Sequence, residues 1–339
     1  MAIYFKSDNT APVAPSIMAA LHAANEGYAR GYGDDPWTAQ LQARFEQLFE
    51  RELRVFPVST GTAANALSLA TLVPPWGAVL THEEAHIVRD ECGAPEFMSA
   101  GARLICMSGD GAKVTPAMLA RTLDANPTSV HTVQPRALSI TQATELGTIY
   151  TPAEVLALST LAHERGLKVH MDGARFANAV ASLGCTPAEI TWRAGIDVLS
   201  FGATKNGALT AEAVVFFDSQ LVADFEFRRK RAAHLLSKSR YVSAQLLAYL
   251  DNDLWLTLAN HANRLAQRIG AAAGARLMHP VQANEVFVRL GDARIAALRD
   301  LGFEFYDWGA SGSGEARFVV SWCQADSDVD ALCHALCSN

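Results

Sequence analysis

Positive charge is scarce in this chain. Its 339 residues carry a formal net charge of −7 and no repeated Lys/Arg block, so the electrostatic footprint of a nucleic-acid binder is missing. Long apolar runs are missing too. Even Leu67 to Val79 is interrupted by Pro74 and Pro75, which leaves nothing of membrane-spanning length. Cysteine is limited to six scattered positions, Cys92, Cys106, Cys185, Cys323, Cys333 and Cys337. Cys333 and Cys337 share i,i+4 spacing on an expected helix, yet no histidine or second cysteine pair completes a zinc pattern, so no metal is expected. Reduced thiols in a cytoplasmic protein are the expectation. The opening Met1-Ala2-Ile3-Tyr4-Phe5-Lys6 also lacks the charged-then-apolar layout of a secretion signal. Internal repeats and low-complexity linkers are absent.

What is present is apolar content, at 50% of residues, enough to bury a large core in one large and one small domain. Ser16 to Ala29 reads as a helix, followed by a loop at Gly31-Tyr32-Gly33-Asp34-Asp35-Pro36. A second helix carries Leu41, Phe45, Leu48 and Phe49 at helical spacing. Strands are expected at Arg54–Val58, Ala78–Leu80, Arg103–Met107, Ser129–Val133, Ala137–Thr141, Lys168–Met171, Asp197–Phe201 and Ala213–Phe217. Helices at Pro116–Leu123 and Pro152–Arg165 each follow a threonine that can cap them. Such alternation implies a mostly parallel sheet covered by helices on both faces. Beyond Phe217 a basic helical segment is expected from Phe225 to Arg240, then a long helix through Asp251 toward Ile269. Short strands at Glu285–Leu290 and Arg317–Trp322, with a helix past Asp328, read as a small α+β domain.

Two polar groups stand at the ends of apolar runs. Asp172 lies in His170-Met171-Asp172-Gly173-Ala174-Arg175, and Lys205, thirty-three residues on, lies in Phe201-Gly202-Ala203-Thr204-Lys205-Asn206-Gly207. Open α/β sheets gather their ligands at such strand ends. An amine there can form a Schiff base and a carboxylate can hold a pyridine nitrogen protonated, a pairing that reads as a pyridoxal 5'-phosphate (PLP) site. Each has a plainer reading. Asp172 can cap the following helix at Ala174, and lysine is most often a surface residue. The small and apolar neighbours of Lys205 suit a buried amine of lowered proton affinity.

Gly61-Thr62, after the Val55–Val58 strand and beside Ser59 and Thr60, forms a helix entry whose amides can take a phosphate or simply cap the helix. His86 can stack on a planar ring, with Glu91 or Asp90 orienting it, although local sequence favours an ordinary loop residue. Arg317 can offer a bidentate fork to a carboxylate, with Ser7 and Arg175 as helpers, or pair with Glu315 or Asp326.

These residues together are similar to those of the low-specificity L-threonine aldolases, PLP enzymes of the aspartate-aminotransferase-like fold type I. The resemblance runs through Ser7-Asp8-Asn9, Gly33-Asp34-Asp35-Pro36, Ser59-Thr60-Gly61-Thr62-Ala63-Ala64-Asn65, His86 with Glu91, His170 to Arg175, Thr204-Lys205 and Arg317. It implies an α/β fold: a mostly parallel seven-stranded sheet in a large PLP-binding domain, residues 1–247, and a small C-terminal α+β domain, residues 248–339. It further implies that Lys205 holds PLP in Schiff-base linkage and that Asp172 pairs with the pyridine nitrogen. Thr60, Gly61 and Thr62 would meet the phosphate, and His86 would stack on the ring. Ser7, Arg175 and Arg317 would grip the substrate carboxylate, Arg175 also lying beside the cofactor. Lys238 or Arg240 would reach a neighbouring subunit's phosphate in a homotetramer, a dimer of dimers.

The implied reaction is retro-aldol cleavage of L-threonine, L-allo-threonine or related β-hydroxy-α-amino acids, phenylserine included, to glycine and an aldehyde. A β-eliminating lyase is the rival reading, and a non-catalytic PLP-fold binding protein a more distant one. Many family members carry Glu-Asn-Thr-His where this chain reads Thr141-Gln142-Ala143-Thr144-Glu145, which sets Thr144 at the histidine position. His86 or a bound water is then the expected base for the hydroxyl proton. Trp37 could favour a larger substrate.

Overall fold

The computed structural model describes residues 2–338. Among the described residues twelve strands are formed: β1 Ile3–Tyr4, β2 Arg54–Val58, β3 Gly77–His82, β4 Arg103–Met107, β5 Gln134–Thr141, β6 Lys168–Gly173, β7 Val198–Gly202, β8 Glu212–Phe216, β9 Glu285–Arg289, β10 Phe303–Glu304, β11 Tyr306–Trp308 and β12 Glu315–Val319. Seven make the main sheet in the order β2-β8-β7-β6-β5-β3-β4. All neighbours pair in parallel except β8, which runs antiparallel to both β2 and β7. β3, β7 and β8 are buried along their whole length, as expected of a sheet covered on both faces.

The expected strand at Ser129–Val133 does not form. Those residues are a loop, and the strand begins at Gln134. Local side-chain bonds win there: Ser129 Oγ accepts from the His131 amide, and Gln134 Nε2 donates to the carbonyls of Ser129 and Thr132. The long helices are also shorter than expected. The first is Pro15–Ala24, and the basic helix stops at Arg231, its four cations at the negative end of the helix dipole. The expected helix through Asp251 is two, Arg240–Leu250 and Leu254–Ala273. Asn252 and Asp253 separate them in the left-handed conformation that short polar side chains tolerate. Thr115 and Thr151 do cap their helices, the latter in a full capping box with Glu154.

The largest core holds Phe45, Phe49, Phe176, Phe201, Tyr249 and Trp255 around the main sheet. A second joins Phe5 of the N-terminal segment to Leu265, Ile269, Val286, Phe318 and Leu332, and β1 pairs with β10 there. The Leu254–Ala273 helix contributes to both. Trp255, at its start, is 1% exposed and stacks on Phe176 at 6.3 Å, with Phe201 at 6.0 Å and Tyr249 at 6.5 Å. Trp255→Ala would leave a large cavity and should lower unfolding stability by about 3–5 kcal/mol, read as a fall in the midpoint of urea unfolding.

Candidate active site

The ends of β6 and β7 approach so closely that neither tolerates a side chain. A Cβ on Gly173 would lie 2.6 Å from the Ser200 carbonyl oxygen, and one on Gly202 would lie 2.7 Å from that of Ala174. This approach sets Asp172 at the end of β6 beside the Lys205 turn that follows β7. Asp172 is buried. Its Oδ1 accepts from the Ala174 amide at 3.0 Å and its Oδ2 from Asn65 Nδ2 at 2.8 Å. The next helix, Phe176–Leu183, begins after Arg175 without a side-chain cap, so Asp172 does not cap it; its bond to Ala174 closes a local turn, and each carboxylate oxygen retains acceptor capacity for a ligand.

Asn65 carries the network onward. Its Nδ2 also donates to Glu91 Oε1 at 2.9 Å, and the same oxygen meets His86 Nδ1 at 2.9 Å. The hydrogen bond to Glu91, reinforced by the charges of Asp172 and Glu145, raises the proton affinity of His86 above that of an ordinary imidazole despite its burial. Burial in turn pushes the Glu91 carboxyl up, opposed by its bond to His86. His86 is thus an oriented ring rather than a loose loop residue. Beneath Asp172, His170 is fully buried between Ser139 and Ser200 and its proton affinity falls to about 4 through burial, so it is a neutral spacer.

Lys205 is half-buried rather than enclosed. Its turn is pinned by Asn206, which donates to Tyr249 Oη at 2.8 Å and the Trp255 carbonyl at 2.9 Å. Glu212 supports it from the other side. This residue pairs in register with Gly202 on β7 and Val58 on β2, between the lysine turn and the Ser59–Thr62 turn, and its Oε2 accepts from the Ala203 amide at 3.2 Å. Burial raises its carboxyl to about 7, opposed by Thr204 and Lys205.

Thr60 caps the Gly61–Leu72 helix by accepting from the Ala63 amide at 3.2 Å. The amides of Gly61 and Thr62 have no acceptor among the described residues, and a Cβ on Gly61 would meet nothing within 4 Å. An open helix start of this kind is a ready anion site.

Arg175 is buried and grips Asp8 through Nε at 2.8 Å and Nη2 at 3.1 Å, while its Nη1 lies 3.4 Å from Glu285 Oε2. Burial opposes its charge, yet Asp8 and Glu285 hold its proton more tightly than usual. Burial likewise pushes Asp8 up, but Arg175 and Lys205 outweigh it and keep the carboxyl below its ordinary range. Arg317 Nη1 lies 3.8 Å from Glu285 Oε1, and its guanidinium sits over Tyr306 and Trp308 at 5.5 and 5.3 Å. Its partner is therefore Glu285, not the Glu315 or Asp326 weighed from sequence. Ser7 accepts from the Asn9 amide at 3.2 Å and stands next to Asp8.

Lys238 and Arg240 are not hydrogen-bonded to any of these groups; Lys238 is exposed, and Arg240 donates to the Gly27 carbonyl and lies over Trp37 at 5.8 Å. The Thr144 hydroxyl is buried and committed to the Gly111 carbonyl at 3.0 Å and Thr148 Oγ1 at 2.9 Å. The next residue, Glu145, is half-buried, and its charge acts on His86, Arg175 and Glu285. Sequence reasoning assigned no role to Asn65, Asp8, Glu212 or Glu285. A signal existed for the last two: each is a lone charge at the head of an apolar strand.

The family model of the beta-eliminating lyases matches residues 4–293. The low specificity L-threonine aldolase of Pseudomonas sp. (strain NCIMB 10558) is 46% identical over 332 residues, covering 97% of this chain and 95% of its own. This chain belongs to the beta-eliminating lyase family, in its threonine aldolase branch. A solved threonine aldolase from Leishmania major superposes on this family member with a TM-score of 0.93 at 28% identity, covering 98% of each chain. The N-succinyldiaminopimelate aminotransferase of Mycobacterium tuberculosis, at 18% identity and a TM-score of 0.70 over 99% of this chain and 93% of its own, shares the fold. The protein is thus a fold type I, PLP-dependent lyase.

The residues present fit that cofactor. Asp172 is a buried acceptor for a pyridine N–H, the open amides of Gly61 and Thr62 suit a phosphate, and Lys205 supplies an amine. Asn65 Oδ1 and Glu91 Oε2 are buried without partners close by. Glu91→Gln should remove the carboxylate that holds the His86 proton, so the His86 pKa should fall, as measured by histidine-selective NMR titration.

Proposed function

We propose that the enzyme cleaves L-threonine, L-allo-threonine and related β-hydroxy-α-amino acids, phenylserine among them, to glycine and an aldehyde. The observation that carries this reading is that a buried carboxylate, Asp172, and two arginines converging on Glu285, Arg175 and Arg317, occur in a chain 46% identical to a low specificity L-threonine aldolase. PLP, when bound, supplies an electron sink for the pair released as the Cα–Cβ bond breaks.

The chain's own residues do the rest. Lys205 would hold the cofactor through its amine. Asp172, fixed by Asn65 and the Ala174 amide, would accept from a protonated pyridine nitrogen. Thr60, Gly61 and Thr62 would hold the phosphate at a helix start, and His86, oriented by Glu91, would meet the ring. Arg175 and Arg317, with Ser7 as helper, would hold and orient the substrate carboxylate. The β-hydroxyl proton passes to His86 or to a water at that face. Glu145, a half-buried carboxylate whose charge acts on His86, is a second group that can receive it. Thr144 takes no part, its hydroxyl being spent.

We further propose a cytoplasmic homotetramer in which Lys238 or Arg240 reaches a neighbouring subunit's phosphate. Exposed Tyr28 and Tyr32 in the same region support an interface there. The PLP-loaded protein should release aldehyde and glycine in equal amounts from L-threonine, L-allo-threonine and L-phenylserine. Lys205→Ala should release none, and Arg317→Gln should lose roughly 10- to 100-fold in kcat/KM, the value of one charge-assisted contact. A 2-oxo acid with the substrate's full carbon skeleton (2-oxobutanoate from threonine, phenylpyruvate from phenylserine) and ammonia, without aldehyde, would assign the β-eliminating reaction instead.

A further inference from the structure

Glu285 has a setting that the reaction above does not explain. It heads β9, is 1% exposed, and neither carboxyl oxygen has a hydrogen-bond partner. Arg175 and Arg317 face the two oxygens at 3.4 and 3.8 Å, so the carboxylate is attracted by both arginines and bonded by neither. It cannot retreat. A Cβ on Gly147, in the turn packed behind it, would already lie 3.2 Å from the Glu285 Cβ. Asp8, by contrast, is gripped twice by Arg175 and accepts a further bond from Asn284 Nδ2 at 3.0 Å.

The charged groups facing Glu285 are Arg175 after β6, Arg317 on β12, Asp8 in the N-terminal turn and Glu145 in the turn beside Gly147. Three carboxylates, Asp8, Glu145 and Glu285, therefore already share two guanidinium groups. A substrate carboxylate would be a fourth. An unrelieved extra anion in a buried setting is costly, and the relief that needs least rearrangement is a proton. Asp8 is the wrong acceptor because its bonds favour the ionised form. Glu145 is partly solvated. Glu285 has no donor to lose and is raised by burial to about 7 even with both arginines opposing, so it stands ready to protonate near neutrality.

We propose that Glu285 is a positioning residue that takes up a proton as the substrate carboxylate docks, releasing Arg317 from internal attraction to grip the substrate. Before docking, the ionised group lies between the two guanidinium groups and attracts both. After docking, the neutral carboxylic acid stays in place without repelling the new anion. The balance is one carboxylate in, one proton in, and no net change in buried charge. Binding is then tighter at low pH and weakens as pH rises through and above about 7.

This inference rests on the reading that Arg175 and Arg317 bind the substrate carboxylate, and the test separates the two. Glycine is titrated into PLP-loaded wild type, Glu285→Gln and Arg317→Gln by calorimetry. Two buffers of different ionisation enthalpy at about pH 7.5 give the protons taken up per glycine bound. Protons exchanged by the glycine amine are common to wild type and Glu285→Gln, so their difference reports Glu285. Wild type should take up a clear fraction of a proton more than Glu285→Gln. Its affinity should weaken relative to that variant by up to roughly tenfold per pH unit above neutrality.

Equal uptake and parallel pH profiles in the two proteins would overturn the role of Glu285 while leaving the carboxylate reading standing. Wild-type glycine affinity in Arg317→Gln would overturn the carboxylate reading itself. Should Glu285→Gln fail to fold, 3-hydroxybutyrate, which has the carboxylate but no amine, is titrated into wild type. Proton uptake on its binding supports the inference, and binding without uptake rejects it.

Discussion

The site depends on how closely two strands end. β6 and β7 finish in Gly173 and Gly202, whose backbones pack where side chains would collide, and the polar residues flanking them are forced together as a result. Asp172 comes from one strand and Lys205 from the turn after the other. Each has its own set of supporting neighbours. Asn65 and Glu91 hold Asp172 and His86 in one hydrogen-bonded row, while Asn206 and Glu212 hold the turn of Lys205. A buried polar row of this kind is stable only because each member satisfies its neighbour. The two oxygens this row leaves unpaired, Asn65 Oδ1 and Glu91 Oε2, lie beside Asp172 and His86.

Charge is divided into two groups around the lysine. On one side is the row from Asp172 to His86; on the other, Asp8, Arg175, Glu285 and Arg317 form a second row that crosses from the N-terminal segment to β12. The second row spans both hydrophobic cores. Asp8 stands three residues from Phe5 of the second core, and Arg175 adjoins Phe176 of the first. The second row is therefore assembled from residues distant in sequence, whereas Asp172, Lys205 and the Gly61-Thr62 turn each stand at a strand end of the main sheet.

That difference explains what the sequence made legible. Lys205, Asp172 and the Gly61-Thr62 turn could be read because each sits in a short local pattern, a polar residue closing an apolar run. The alternation of strand and helix was readable for the same reason, and so were the threonine caps. Asn65 could not be found in this way. Its importance comes from lying between Asp172 and Glu91, residues 107 and 26 positions away in the chain. Ser129–Val133 was misread because a valine pattern outweighed its polar residues. Val130 is 97% exposed, and the backbone there bonds to neighbouring side chains instead of a strand. The Thr144 departure was visible, but not its outcome, since only the fold reveals that its hydroxyl is occupied by Gly111 and Thr148.

The Leu254–Ala273 helix gives Trp255 and Ala259 to the core under the main sheet and Leu265, Ala266 and Ile269 to the core of the smaller one. A rigid rod shared by two interiors transmits strain between them. Melting of either interior strips one half of the helix of its packing, and short isolated helices are marginal in water. The two halves of the molecule are thereby bound into one cooperative unit. A free hinge between the cores would require breaking the rod itself.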